Sequence, residues 1–506
     1  MKLIYVFLLA LCSFDVAGQV TFQKVFKHPD FPSASSAEYT KDGGYIIAGS
    51  IGTFGATDVY LLKTDSLGNK LWEKRYDSQP YEVAHSIYKC KNGGYAITGG
   101  VSNNNGGDLL ISKIDDTGKV EWSKAFGGSI SQEYGNAIKQ TSDGGFIAVG
   151  QTSGGSVTGN AVYIVKTDSV GNTLWAKTYN TAGDGGMYVL EKTNGYIVGG
   201  YTSILGPPYY TFIMNIDSLG IPLWTKYIPS NASILGRITQ TSDGGYLLAG
   251  NLNTAMGTGI GLLKTDSLFT FQWAKQYAAN VSNILLDFAI ETNDGGYLIG
   301  GKTLEEILIK IDATGNVIWS KIFGKHALND IRYERQLSDT GYIFIGNASD
   351  SLTLPSRVWL VKADSSGKAC SINDTAITVT NLSLTASALT FTVSILDTSY
   401  SINFTVSNPN SVDSLLCSNN STGIETLPVP ISDVIVFPNP AQNFVYFQAK
   451  DKIRSIDVFN STGIKVFTVA PDSNNLAIDI EKYPEGVYFY KVEINGISRT
   501  GKLFIR

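Results

Sequence analysis

A tight turn followed by an aromatic residue returns about every fifty residues along this chain, and few architectures accommodate such a period. It reads Asp42-Gly43-Gly44-Tyr45, Asn92-Gly93-Gly94-Tyr95, Asp143-Gly144-Gly145-Phe146, Asn194-Gly195-Tyr196, Asp243-Gly244-Gly245-Tyr246, Asp294-Gly295-Gly296-Tyr297 and Asp339-Thr340-Gly341-Tyr342. Self-similarity at this spacing means a solenoid or a propeller, since one unit cannot bury its apolar face alone. A second signature follows each copy, as Lys63-Thr64-Asp65, Lys113-Ile114-Asp115, Lys166-Thr167-Asp168, Lys264-Thr265-Asp266 and Lys310-Ile311-Asp312, with variants at Asn215-Ile216-Asp217 and Lys362-Ala363-Asp364. Six of the seven tryptophans then fall at one place: Trp72, Trp122, Trp175, Trp224, Trp273 and Trp319.

Each unit predicts four short strands. In the first they are Ser36 to Thr40, Tyr45 to Gly49, Asp58 to Asp65 and Leu71 to Tyr76. Asp-Gly and Gly-Asn pairs supply the positive φ angles that hairpin turns need, and no sustained 3.6-residue apolar period competes. Four strands per fifty residues match a propeller blade, so residues 19–369 are expected to form an all-β, seven-bladed β-propeller. The seventh unit reaches Asp364-Ser365-Ser366-Gly367-Lys368 and lacks a fourth strand. Phe22-Gln23-Lys24-Val25-Phe26 mimics Trp72-Glu73-Lys74-Arg75-Tyr76, so the N-terminal strand is expected to pair near Val358 to Lys362 and close the ring.

Residues 1–18 read as a signal peptide. Lys2 starts an apolar run from Leu3 to Leu11, too short to span a bilayer, and Val16 and Gly18 suit cleavage before Gln19. Lipidation at Cys12 is disfavoured because Leu11 precedes it. Removal of this segment leaves Cys90, Cys370 and Cys417. Cys90 falls in a predicted strand as a buried thiol, and an oxidising compartment would let Cys370 and Cys417 pair. Residues 370–430, rich in Thr, Ser and Val, read either as a small hairpin or as a solvated linker.

Residues 431–506 carry Val434-Ile435-Val436-Phe437, Pro438-Asn439-Pro440, Ile456-Asp457-Val458-Phe459-Asn460-Ser461-Thr462-Gly463, Tyr483-Pro484-Glu485-Gly486-Val487-Tyr488-Phe489 and Gly501-Lys502-Leu503-Phe504-Ile505-Arg506. In order and spacing they resemble the type A sorting domain of type IX secretion in Bacteroidetes. The resemblance implies an Ig-like β-sandwich recognised by the outer-membrane translocon, with the cargo secreted or displayed at the cell surface. Period-two strands at Ser455 to Phe459 and Val487 to Ile494 agree with a sandwich.

Asp312-Ala313-Thr314-Gly315-Asn316-Val317-Ile318-Trp319 is similar to the docking repeat of quinoprotein propellers, and the blades also resemble Kelch-type ones. That likeness implies an oxidoreductase with a quinone in the channel. The chain has no adjacent cysteines and no recognisable calcium site, so no cofactor is assigned. Each Trp is expected to pack its blade on the next. The recurring Asp42, Asp143, Asp243 and Asp294 are expected to cap turns, since one active site would not need so many copies. His28, His85 and His326 have no metal-ligand spacing, and no nucleophile elbow or phosphate loop occurs. With 39 basic and 44 acidic residues, a net charge of −5 and no long basic run, nucleic-acid binding lacks its footprint.

The expected function is therefore an interaction module for an extracellular glycan or protein. The alternative is a quinoprotein-like oxidoreductase or a hydrolase with a site in the channel. The connections Ser50 to Thr57, Val101 to Gly107, Gln151 to Asn160 and Tyr201 to Tyr210 vary, as do those between units, so that face is expected to bind. Tyr81, Glu133, Tyr134, Tyr209 and Tyr210 are the candidate contacts.

Overall fold

The computed structural model describes residues 20–419 and 434–505. Excepted are 54–55, 79–80, 104–105, 129–130, 155–158, 181–182, 204–209, 229–231, 255–256, 280–283, 304, 324–329, 349–356, 370–371, 375–376, 382–386, 389–391, 396–398, 402–404, 408–411, 438–440, 461–463 and 495–496. The signal segment, Tyr209, Cys370 and the hinge after Asn419 thus lie outside the described residues, as does the side chain of Cys417. The Cys370–Cys417 pairing falls with them. Cys90 is buried and free. The chain divides into two compact units, Met1–Thr422 and Gly423–Arg506. Among the described residues every element is a strand, and no helix is long and apolar enough to cross a membrane.

The first unit is propeller-like. In each repeat four strands run as an antiparallel meander, with the turn signature between the first and second. The first meander is Ser33–Tyr39, Tyr45–Thr53, Ala56–Thr64 and Lys70–Asp77. Its middle strands outrun the sequence expectation. Gly52, at φ 132, lets Tyr45–Thr53 and Ala56–Thr64 continue to the pair Thr53↔Ala56, so the supposed loop Ser50 to Thr57 is mostly sheet. The strands of the next repeat likewise pair as far as Asn103↔Gly106, within the supposed loop Val101 to Gly107.

The repeat count predicts seven sheets, and the described residues of the unit form six. Five have five strands and one has ten, because the single parallel pair Gln132↔Gly107 joins two successive meanders. The apolar core lies between neighbouring sheets. Ile46, Ala48 and Leu61 of one repeat pack with Ile97, Leu110 and Ala125 of the next. The N-terminal strand Thr21–Lys27 pairs antiparallel with Arg357–Ala363 in the register Phe22↔Lys362 to Phe26↔Val358, as its mimicry of a fourth strand predicts.

Residues 370–419 are neither a hairpin nor a linker. Their described residues supply seven strands, and among these none pairs with another of the group. Ile372–Asp374 adds to Val317–Phe323, Ile377–Asn381 to Phe271–Ala279, Ser387–Ala388 to Pro222–Ile228 and Thr392–Ile395 to Thr173–Asn180. Ser399–Ser401, Thr405–Ser407 and Val412–Asn419 then join Val120–Phe126, Lys70–Asp77 and Thr21–Lys27. The segment is a belt that visits the outer strands in reverse chain order. An outer strand exposes unpaired backbone groups along one edge, and a Thr- and Val-rich extended chain satisfies them.

In the second unit the 16-residue strand Phe444–Phe459 serves two neighbourhoods. Its first half pairs with Val434–Phe437 and Ser473–Asp479, its second with Lys465–Val469 and Gly486–Ile494. Val445, Phe447, Ile456, Val458, Val492 and Leu503 fill one core.

Candidate ligand site on the inner strands

The repeated residues build the scaffold. The fourth-strand tryptophans reach the next repeat: a Cβ on Gly118 (φ 77) would lie 2.9 Å from the Trp72 ring, and one on Gly171 (φ 80) 2.7 Å from that of Trp122. Trp175 Nε1 donates to Ser218 O at 3.0 Å and Trp273 Nε1 to Ala313 O at 3.2 Å. Trp122, Trp273 and Trp319 also meet the signature aromatics Phe146, Tyr297 and Tyr342 of the following repeat edge-on. Tryptophan docking here is packing between successive meanders.

The two turn signatures meet as ion pairs, which the sequence did not suggest. Lys166 Nζ lies 2.8 Å from Asp143, Lys264 Nζ 2.7 Å from Asp243 and Lys310 Nζ 2.9 Å from Asp294. Burial alone would raise Asp143 and Asp294, but bonds from Lys166 and Thr141, and from Thr292 and Lys310, bring each down to about 2. For Asp243 the Lys264 bond is the leading cause of a fall to about 2. A depressed carboxyl stabilises fully above its unfolded value and loses that contribution as pH falls through the folded one. Thermal stability is therefore expected to drop between about pH 4 and pH 2, and D243N should flatten part of that slope in melting curves. An unchanged slope in D243N would remove the pairs from the account.

Function is better sought where the repeats differ. The inner strands are Ser33–Tyr39, Glu82–Lys89, Ser131–Gln140, Asp184–Lys192, Ala232–Gln240, Leu285–Glu291 and Asp330–Gln336. Each packs on the next, and the last packs on the first, so they close round a common axis. Every one carries a register shift at the same point, which leaves Ser35, His85, Asn136, Met187, Gly236, Asp287 and Arg332 without a ladder partner. A bulge of this kind re-aims a side chain, and here one frame presents several chemistries.

These residues interact round the axis. His85 Nδ1 donates to Gly135 O at 2.9 Å, which leaves Nε2 of the neutral ring as an acceptor. Asn136 Nδ2 donates to Gly186 O at 2.8 Å, so Oδ1 remains to accept. Burial lowers His85 below its usual range, the Gly135 bond opposes this, and the Arg332 charge lowers it further. Asp287 feels the same guanidinium. Arg332 is 51% exposed and donates Nη2 to Asp330 Oδ2 at 2.6 Å. The bulges lie near the strand starts, on the side where chain arrives from the preceding repeat.

Three residues further along, roughly 10 Å deeper, charged side chains gather in a second layer. Burial pushes Glu38 of the first repeat up and Lys139 of the third down, each held back by the other. Lys139 Nζ lies 4.7 Å from the Tyr88 ring centroid, and the Arg335 guanidinium 4.8 Å from that of Tyr39. Between the bulges and this layer, Arg237 of the fifth repeat pairs with the buried Glu334 of the seventh. Side chains of opposite sign from different repeats thus meet below the bulges.

The sequence-chosen contacts distribute unevenly. Tyr81 is 41% exposed. Tyr134 is half-buried, edge-on to His85 at 5.9 Å, and Tyr210 packs edge-on against Tyr227. Glu133 is 2% exposed and accepts from Thr152 Oγ1 at 2.6 Å, an arrangement of packing and not of an open contact. Asp58, Asp77 and Glu82 gather within 4.8 Å, but Arg75 pairs with Asp58 and Ser78 donates to Glu82, which makes the group an ionic junction. The bulged residues were missed because the repeats share their position and not their type. The usable signal was spacing: Ser35, His85, Asn136, Asp287 and Arg332 each stand ten residues before a signature aromatic.

Residues 435–506 match the secretion system C-terminal sorting domain, as the motifs above predict. The chain is thus a propeller-like protein carrying a type IX sorting tail. No curated protein matches it in sequence. Among solved structures it is similar to a protein of unknown function from Bacteroides caccae, at 12% identity and TM-score 0.34 over 59% of this chain and 93% of that one. PorZ, a surface component of the type IX secretion system of Porphyromonas gingivalis, aligns at 10% identity and TM-score 0.34 over 94% of this chain and 59% of its own. The polysaccharide lyase Uly1 aligns at 10% identity and TM-score 0.42 over 66% and 90%.

Proposed function

We propose that this chain is a secreted or surface-displayed β-propeller of seven blades that binds an extracellular glycan or protein on the face where its inner strands begin. The ten-stranded sheet counts as two blades, since its meanders share one parallel pair. The N-terminal strand counts as the fourth strand of the last blade. The signal segment takes the chain to the periplasm of a Bacteroidetes host, and the tail takes it across the outer membrane. The observation that carries the binding reading is the set of bulged residues, which differ in chemistry on a frame that is otherwise repeated. Tyr134, edge-on to His85, supports its place in that set, and Tyr81 and Tyr210 are taken as further contacts on the same face.

The test is to screen the purified protein against glycan and protein arrays, then to compare variants on the best ligand. R332A with H85A should weaken binding at least tenfold and leave the melting temperature unchanged. Equal losses from substitutions in the Asp-Gly-Gly turns, without unfolding, would overturn the assignment of the face.

A further inference from the structure

One pair of side chains on the inner face is not explained by packing. Glu306, at the start of the strand Glu306–Ile311, is 1% exposed, and among the described residues neither of its oxygens has a hydrogen-bond donor. Its neighbour is the bulged Asp287, whose Oδ2 is equally without a donor. Asp330, Lys302 and Arg332 complete the charged surroundings, and Asp330 is already satisfied by Arg332 and Asn347. Two facing carboxylates in a dry site need a proton or a cation between them. A calcium ion takes six to eight oxygens, and this site offers two carboxyl groups beside two cations, so the proton is favoured. Burial is the main cause that pushes Asp287 up to about 6 and Glu306 well above its usual range.

We propose that this face recognises an acidic sugar, holding its carboxylate between the Arg332 guanidinium and a protonated Asp287 carboxyl whose other oxygen accepts from a protonated Glu306. The proposal rests on the reading that the ligand binds where the inner strands begin. With protons on both Asp287 and Glu306, only Asp330 is charged against Lys302 and Arg332, and the site is net positive. Asp287 then donates, and so do the free N–H groups of Arg332. His85 Nε2 and Asn136 Oδ1 accept from sugar hydroxyls, and the Tyr134 ring offers an apolar face. Loss of the Asp287 proton removes that donor, cancels the net positive charge and sets a carboxylate against the ligand, which weakens the binding of an anion.

The test uses isothermal titration of the full chain with a galacturonate tetramer and a neutral galactose tetramer at pH 5 and pH 8. A sugar carboxylate is ionised at both values, so any change comes from the protein. The acidic tetramer should bind at least tenfold tighter than the neutral one at pH 5, and lose at least tenfold by pH 8. D287N should abolish the pH dependence, because an amide donates at either pH, whereas H85N should keep it. R332Q should erase the preference for the acidic tetramer. Equal binding of both tetramers, a pH-independent wild type, or no binding of the acidic tetramer would overturn the proposal. Binding of a peptide or neutral glycan that R332Q weakens would overturn it too while sparing the general reading of this face.

Discussion

Removal of residues 19–28 is expected to lower the melting temperature by well over ten degrees and to cause aggregation. Thr21–Lys27 lies between Arg357–Ala363 and Val412–Asn419, so its loss strips partners from both. Phe22, Val25 and Phe26 are at most 3% exposed. At about 1.5–3 kcal/mol for each buried side chain, the apolar loss alone is roughly 5–9 kcal/mol, comparable to the whole stability of many domains. F26A isolates part of this effect at about 3–5 kcal/mol. Calorimetry and light scattering on both variants decide it. A deletion that melts like the parent would show that the N-terminal strand closes nothing.

Truncation at Gly423 is expected to separate folding from export completely. The two compact units divide there, and the sorting-domain match begins at residue 435. The shortened chain should melt as the first unit does, yet stay in the periplasm of its host. Fractionation with antibody detection reads the outcome. Normal appearance outside the cell would detach the tail from secretion, and failure to fold would show that the first unit needs it.

The outer architecture was legible because its signals are local and repeated. Asp-Gly-Gly turns, the Lys-Thr-Asp ends and the tryptophans recur at fixed spacing, and Phe22 to Phe26 copies a fourth strand closely enough to give its register. The belt was not legible. Alternation in Thr375 to Val406 specifies an extended chain, but its partners are backbone edges, which leave no mark on the sequence of either side. The bulged set was hidden for another reason. A conformational irregularity shared by the repeats has no residue type of its own, so His85 looked like a stray histidine and Asp287 like an ordinary strand residue. Glu133, expected among the ligand contacts, is buried against Thr152, because sequence position near a strand start does not say which way a side chain turns.

The belt also changes how the molecule can come apart. Repeat arrays commonly gain and lose units one at a time, because each contacts only its neighbours. Here every meander is tied to a segment that follows all of them in the chain, and that runs past them in reverse order. No single unit can detach without releasing a strand that also continues to the next. Unfolding should therefore be cooperative across the whole first unit, with amide exchange in the outer strands converging on one global rate.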